Sequence, residues 1–345
     1  MSTELADRKK RILYAVINDY IVSAEPIGSQ QIASKKNINL SPATVRSVMA
    51  ELEERGFLKR AHSSSGRTPT DTAYRIYVDQ LMNPKMPSLK DREGLRSKLN
   101  DRLKDLTDLP RDSSRVLSDV VKNASIAAYP KTEERHIEHI RFCKLKGHLV
   151  LAILVSSSGL VENKILKLTK NLKQSELDQM HNYLNEYLKG LTIGQAKRKI
   201  LEDIQDEHAK YDQLLHAALT MSQKTFEQSS VNLHIEGQSK LFMGPDFLNF
   251  EKMQNILKIL EEKTVLAAIL EDCLRSPGVK ILIGEEFNAP EINGLTMITA
   301  PYNDAEGNRG ILGVIAPTRV DYARVVPLVE YTSNLVTNVL QESKL

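Results

Sequence analysis

The sequence predicts a multidomain α+β protein that begins with a winged helix-turn-helix unit and continues as a larger region of strands and helices. Residues 40–79 follow the order helix, strand, Ser/Gly-rich loop, helix, and strand-like periodicity appears after residue 136. A helical stretch over 169–230 then interrupts the strands, which is typical of one unit inserted into another. The 345 residues, 41% of them hydrophobic, suffice for two or three domains.

A helix is predicted to begin at Pro42, because Ser41 is a good N-cap and proline loses no hydrogen bond at the first helical position. Apolar residues at helical spacing predict a buried stripe, made of Val45, Val48, Met49 and Leu52. The other side carries small and polar residues that a DNA groove can accept, namely Ala43, Thr44, Arg46, Ser47 and Ala50. Acidic residues 51, 53 and 54 would repel phosphate, so the N-terminal half is predicted to face DNA.

A wing is predicted after this helix. Gly56 is a candidate left-handed residue at the helix end, residues 57–60 form a short strand, and residues 62–67 form a Ser/Gly-rich loop with Arg67 at its base. Such a loop can lie along the DNA backbone or reach into a minor groove. Upstream, helices are predicted over 11–22 and 29–36. The order helix, helix, recognition helix and wing is that of a winged helix.

The formal excess of positive charge lies in this unit. Residues 1–80 hold 12 Lys and Arg against 9 Asp and Glu, a net charge of +3, whereas the other 265 residues balance at 35 against 35. A winged helix can also serve as a protein-contact module, and this alternative stays open. The local charge favours contact with phosphates.

The same segment resembles the signature of the HrcA family, the bacterial heat-inducible transcription repressors. The resemblance covers roughly forty residues in order and spacing, in the runs SPATVR, MAELEERGFL, HSSSGRTPTD and YRIYVD. The family pattern has Gln-Pro before the wing histidine and Gly before the Tyr-Arg pair. This chain has Arg60-Ala61 and Ala73 at those places.

The resemblance implies a homodimer that binds CIRCE, an inverted-repeat operator in double-stranded DNA, and so represses chaperone operons. It also implies that the GroE chaperonin helps the repressor to reach or keep its active form. Base-edge contacts are expected from the recognition helix, wing contacts from the loop, and phosphate contacts from Lys59 and Arg60. The expected DNA-binding residues are Ser41, Thr44, Arg46, Ser47, Lys59, Arg60, His62, Ser63, Ser65 and Arg67. A surface ion pair with Glu51 or Glu53 is the alternative role for Arg46.

Changes in periodicity divide the chain into five segments. Thr70 caps a helix predicted over 71–81, and the winged-helix domain is expected to span 1–82. A charged linker over 83–112 carries a leucine stripe that could dock on the core or pair with another helix, formed by Leu95, Leu99, Leu103 and Leu106. Strands at 137–145, 149–155 and 161–168 predict an antiparallel meander.

Helices are predicted from residue 169, the first capped by Ser175 and ended by Gly190. Strands resume at 231–235, 279–284, 295–302 and 310–316, with helices over 248–262 and 321–341. Because proline is costly deep in a helix, Pro327 suggests a start for the last helix near Val326. This order resembles the HrcA architecture, a GAF-like α/β domain (113–168 and 231–345) that carries an inserted dimerisation domain (169–230).

The sequence predicts neither an enzyme nor a bound cofactor. No nucleophile-elbow, metalloprotease or phosphate-loop motif occurs, and Cys143 and Cys273 lie far apart without zinc-site spacing. Redox or ligand sensing on the GAF-like domain, through one of these cysteines, is the second alternative. No apolar run approaches ~18 residues and no signal-peptide core follows the charged N-terminus, so a cytoplasmic protein is expected.

Overall fold

The computed structural model describes residues 5–61, 66–100, 108–128, 135–157, 161–168, 172–205, 221, 233–244, 250–261, 263–289, 292–304 and 307–342. Over these ranges the chain combines helices and sheets, as predicted. It forms a winged-helix unit, a five-stranded sheet with helices on both faces, and a three-stranded sheet with its own helices. No helix in the described ranges is long and apolar enough to cross a membrane.

The winged-helix unit has the predicted order of elements. Its elements are α1 (Asp7–Ser23), α2 (Ser29–Ala33), α3 (Pro42–Glu54), β1 (Leu58–Arg60), β2 (Arg67–Pro69) and α4 (Asp71–Ile76). A π-helical turn, Tyr77–Leu81, continues α4. Both predicted N-caps are confirmed: Ser41 Oγ accepts the Thr44 N–H at 3.1 Å, and Thr70 Oγ1 accepts the Ala73 N–H at 3.3 Å. Each such cap stabilises a helix by about 1 kcal/mol.

The linker helix docks on the body of the same molecule. It is α5 (Leu89–Asn100), and it packs against α6 (Leu109–Val121), which the sequence did not reveal. Leu95 and Leu99 are fully buried in the core that this packing forms. Docking is therefore confirmed for this half of the leucine stripe, while Leu103 and Leu106 lie outside the described residues.

The rest of the chain forms two sheets: a five-stranded sheet that draws on two separate parts of the chain, and a three-stranded meander. In chain order the strands are β3 (Ala124–Ala128), β4 (Ile137–Lys144), β5 (Leu149–Ser156), β6 (Val161–Lys167), β7 (Leu233–Glu236), β8 (Lys280–Ile283), β9 (Leu295–Asn303) and β10 (Arg309–Pro317). The remaining helices are α7 (Gln174–Tyr187), α8 (Ile193–Gln205), α9 (Gln238–Leu241), α10 (Phe250–Glu261), α11 (Lys263–Leu274) and α12 (Tyr322–Glu342).

The five-stranded sheet is antiparallel throughout, in the order β7-β3-β10-β9-β8. Helices α6 and α12 pack on one face, and α10 and α11 pack on the other. At the centre of the sheet Gly313 lies opposite Thr299, and a Cβ at Gly313 would lie 2.6 Å from the Ile298 carbonyl oxygen. This glycine therefore permits the close approach of β9 to β10.

The predicted meander is confirmed, but it forms a separate three-stranded sheet, β4-β5-β6. Its inner face packs on α7 and α8 through a third core that includes Phe142, Leu154, Leu184 and Ile200. The chain leaves the five-stranded sheet after β3 and re-enters it at β7, which pairs with β3. The expected division at residue 169 therefore does not coincide with the boundary between the two sheets.

Helix α7 covers the free edge of β4 with two amide side chains. Asn185 accepts the Ile140 N–H at 2.7 Å and donates to the Ile140 carbonyl at 2.9 Å. Gln174 accepts the Lys144 N–H at 2.8 Å and donates to the Phe142 carbonyl at 3.1 Å. The predicted Ser175 cap is wrong, because the helix begins at Gln174. The covered edge cannot recruit another strand.

The last helix spans Tyr322–Glu342, which confirms the helix predicted over 321–341. The later start suggested near Val326 is wrong, and Pro327 lies inside α12. Proline has no N–H with which to reach the carbonyl of Ala323, four residues earlier. The Ala323 carbonyl instead accepts the backbone N–H of Lys85, in the linker, at 2.9 Å. A tertiary hydrogen bond thus replaces the missing helical one.

The winged helix is docked on the body by a shared core and by Arg75. The rings of Tyr74 and Tyr77 lie 5.9 and 6.4 Å from the ring of Tyr322, which is fully buried. Arg75 donates to Glu286 at 2.8 Å and to the Ile281 carbonyl at 2.7 Å. The hydrogen bond to Glu286 raises the pKa of Arg75, so this cation stays charged at the joint.

Candidate nucleic-acid interface

The recognition helix α3 presents a short polar surface at its N-terminal end. The predicted stripe is buried: Val45, Val48, Met49 and Leu52. Ser41, Arg46 and Ser47 are exposed, and Thr44 is half-buried, with its Oγ1 2.9 Å from Ser41 Oγ. These side chains therefore lie at the N-terminal end of α3, where the helix dipole is positive.

The side chain of Arg46 is available to DNA. Its two alternative partners are engaged elsewhere: Glu51 pairs with Lys9 at 2.7 Å, and Glu53 pairs with Arg60 and Arg67. The hydrogen bond from Lys9 lowers the pKa of Glu51 and ties α1 to α3. Within the described ranges Arg46 makes no ion pair. The surface-pair interpretation of Arg46 therefore does not hold in this structure.

The strands β1 and β2 form the base of the wing. Arg60 lies opposite Arg67 at the end of this two-stranded ladder, where the loop begins. On the other side, Arg67 exchanges two backbone hydrogen bonds of 2.9 Å with Ile27. A Cβ at Gly66 would lie 2.7 Å from Pro26 Cβ, so only glycine fits there. The second strand is thus held against the segment between α1 and α2.

The structure separates the expected contact residues into three groups. Ser41, Arg46, Ser47 and Lys59 are exposed, and the Arg60 side chain is 70% exposed although it pairs with Glu53. The Arg67 side chain is only 9% exposed and pairs with Glu53 at 2.9 Å, so it is turned away from solvent. His62, Ser63 and Ser65 lie outside the described residues.

Sequence reasoning missed the role of Glu53. The sequence suggests for this carboxylate either repulsion of phosphate or an ion pair with Arg46, whereas the structure places it between the two wing arginines. Glu53 lies on α3, Arg60 on β1 and Arg67 on β2, so the periodicity of a single element does not bring the three residues together. A prediction that residues 60 and 67 pair in the hairpin would have placed the two arginines side by side and so indicated a need for an acidic partner.

The described part of the chain also bears on metal binding and on thiol reactivity. It holds no group of three or more His, Cys, Asp or Glu side chains that could bind a metal ion. Cys273 is buried, and burial raises the pKa of its thiol. A buried thiol with a raised pKa is a poor nucleophile, which counts against redox sensing through this cysteine.

The fold and this surface define a class of protein: a transcriptional regulator with a winged-helix DNA-binding domain docked on a larger α/β body. Comparison with known proteins agrees. The family described as "Winged helix-turn-helix transcription repressor, HrcA DNA-binding" matches residues 4–82, and that described as "HrcA protein C terminal domain" matches residues 107–326. The chain belongs to the HrcA family of heat-inducible transcription repressors.

Relatives match along the whole chain. The heat-inducible transcription repressor HrcA of Geobacter sulfurreducens is 40% identical, over 98% of this chain and 99% of its own length. The HrcA of Syntrophobacter fumaroxidans is 37% identical, over 99% of each chain. A crystal structure of a hypothetical protein at 2.2 Å resolution has the same fold, with a TM-score of 0.64 and 19% identity over 99% of this chain and 100% of that chain.

Proposed function

We propose that this protein represses heat-shock chaperone operons by binding, as a homodimer, the two halves of a CIRCE-type inverted repeat, and that heat stress releases it. The observation that carries the proposal is the exposed Arg46 at the N-terminal end of a capped recognition helix. An arginine can donate two hydrogen bonds to the O6 and N7 atoms of guanine, a contact that typically discriminates by about 1–3 kcal/mol.

The other exposed residues and the half-buried Thr44 fit the same binding mode. Ser41, Thr44 and Ser47 supply short hydroxyl groups to bases or phosphates, while Lys59 and Arg60 supply charge to the backbone. We place His62, Ser63 and Ser65 at the tip of the wing on the strength of the family resemblance. Arg67 belongs to the base of the wing, because its guanidinium is buried against Glu53.

The dimer is supported by the outer face of the three-stranded sheet. On β5 alternate residues, Val150, Ala152 and Leu154, face the core, which leaves the side chains between them on the outer face. On β6 Val161 is 55% exposed and Ile165 is 61% exposed, and they lie opposite Val155 and Leu151. A second copy could cover this apolar face through a self-complementary contact.

We therefore assign the three-stranded unit as the inserted dimerisation domain and the five-stranded unit as the GAF-like domain. Val161→Glu and Ile165→Glu should each yield a folded monomer in analytical ultracentrifugation. Val22→Glu, at a residue that is 87% exposed and lies on α1, is the matched control and should remain a dimer. Dimers of all three variants would contradict this interface.

Family membership is the basis for two further parts of the proposal. We propose the GroE chaperonin as the partner that keeps the repressor active, and the cytoplasm as the place where it acts. Under this proposal, heat-unfolded clients occupy the chaperonin and the operons are transcribed.

A gel-shift titration tests the proposal most directly. The purified protein is titrated against the inverted repeat, a single half-site and a scrambled duplex at one near-physiological salt concentration, with and without chaperonin. Preference for the intact repeat is expected, because a dimer engages both half-sites. Equal weak binding to all three duplexes by a folded dimer would favour the protein-contact module instead.

A further inference from the structure

Glu53 makes contacts that its place in the sequence does not suggest. Its Oε2 accepts hydrogen bonds from Arg67, at 3.0 Å from Nε and 2.9 Å from Nη2. Its Oε1 lies 3.0 Å from Nε of Arg60. The same Nε of Arg60 also donates to Oε2, at 3.4 Å. Since Arg60 and Arg67 are register partners on the two strands, one carboxylate contacts both strands of the wing.

The two arginines differ in burial, and this difference separates their roles. The Arg67 side chain is 9% exposed, and its backbone is fixed by Ile27. The Arg60 side chain is 70% exposed. A buried cation depends on its partner, whereas an exposed ion pair exchanges readily with other ions.

We propose that Glu53 is a positioning residue for DNA recognition, which fixes the base of the wing through Arg67 and holds Arg60 where a DNA phosphate can take over its guanidinium. The proposal rests on the proposed operator binding. When Arg60 leaves, Glu53 keeps both hydrogen bonds from Arg67, so no buried charge is left without a partner. The exchange therefore costs little, and the recognition helix and the wing keep their relative placement.

The phosphate half of the proposal is tested with Arg60→Gln, which leaves the buried pair intact. Binding to the inverted repeat and to a scrambled duplex is measured in the full-length protein over a range of salt concentrations. Both affinities should fall by the same factor, and the salt slope should decrease by about 0.9 for each phosphate that the variant no longer neutralises. Lys59→Gln, at the neighbouring exposed cation, is the matched control, because it shows how much affinity and salt slope change when one phosphate contact that does not involve Glu53 is lost. An unchanged salt slope for Arg60→Gln would overturn this half.

The positioning half is tested with Glu53→Gln and Glu53→Asp. The aspartate variant keeps a negative charge near the buried Arg67, so folding should survive in this variant. Its shorter side chain, however, cannot reach both strands. Both changes should weaken operator binding on the order of tenfold, the size of one base contact, and should weaken binding to scrambled DNA by no more than Arg60→Gln does. If Glu53 only repels phosphate, Glu53→Gln would instead tighten binding to both duplexes and Glu53→Asp would change neither.

Tryptic cleavage after Arg60 and Arg67 in DNA-free protein separates failure of this proposal from failure of the proposed function. Cleavage should be faster in Glu53→Asp than in the parent chain, because the base of the wing opens. If the parent chain shows no operator preference, the proposed function fails, and the cleavage rates still decide whether Glu53 holds the wing. Equal rates in the two proteins would overturn the positioning role.

Discussion

Replacing Gly313 with alanine is expected to destabilise the five-stranded sheet at its centre. The new Cβ would lie 2.6 Å from the Ile298 carbonyl oxygen and 2.8 Å from Thr299 Cγ2, whereas ordinary contacts begin near 3.4 Å. The obstructing oxygen belongs to the backbone of a paired strand and cannot rotate away, as a side chain could. The strands β9 and β10 would have to separate by several tenths of an ångström.

Overpacking of this kind typically costs about 1–3 kcal/mol, and we expect the upper end because backbone must move. Gly278→Ala is the matched control, since no atom lies within 4 Å of a Cβ at that position. Its effect should stay within about 0.5 kcal/mol of zero. The difference in unfolding free energy between the two variants thus isolates the cost of the steric clash.

Equilibrium unfolding in urea, followed by far-ultraviolet circular dichroism, gives both values. The Gly313→Ala midpoint should fall while the slope of unfolding free energy against urea stays constant, so that the shift reports stability. A Gly313→Ala variant as stable as Gly278→Ala would refute the close approach of β9 to β10.

The other predictions concern the DNA contacts, the α3 cap and the effect of pH on stability. Arg46→Ala should weaken operator binding by about 1–3 kcal/mol per half-site and spare scrambled DNA. Lys59→Ala should weaken binding to both duplexes and lower the salt slope by about one. In competition gel shifts, equal reductions on both duplexes for Arg46→Ala would contradict the recognition-helix assignment. Ser41→Ala should cost about 1 kcal/mol in urea unfolding, because it removes the α3 cap. Burial, with Arg141 and His139, lowers the pKa of His181 below its ordinary value of 6.5 against the opposing effect of Asp178. The folded state therefore resists protonation, so the three-stranded unit should be most stable above pH 6.5 and lose stability as the pH falls from there toward the lowered pKa. A thermal-melting series should show this decrease, and a slope that persists in His181→Phe would assign it to another group.

Local signals made the winged helix predictable. A cap and the apolar spacing fix α3 within a few residues, and neither depends on distant parts of the chain. The exposed positions of Arg46 and Ser47 follow from the same spacing. The burial of Arg67 does not, because it depends on a carboxylate that the fold brings from another element.

The larger body was less predictable for two physical reasons. Strand β3, with the sequence ASIAA, is buried on both faces and lacks the alternation that marks a half-exposed strand. Helix α11 is apolar around most of its circumference, so no single stripe identifies it. Without β3, nothing in the sequence separates the meander from the later strands, so the sequence assigns the two sheets to one domain.

The hydrogen bond from Lys85 to Ala323 has a consequence for how the chain can evolve. The donor is a backbone amide, so every residue type except proline can supply it at position 85. At position 85, proline is therefore the one residue type that this contact excludes. The side chain at position 85 can therefore change without loss of this contact between the linker and α12.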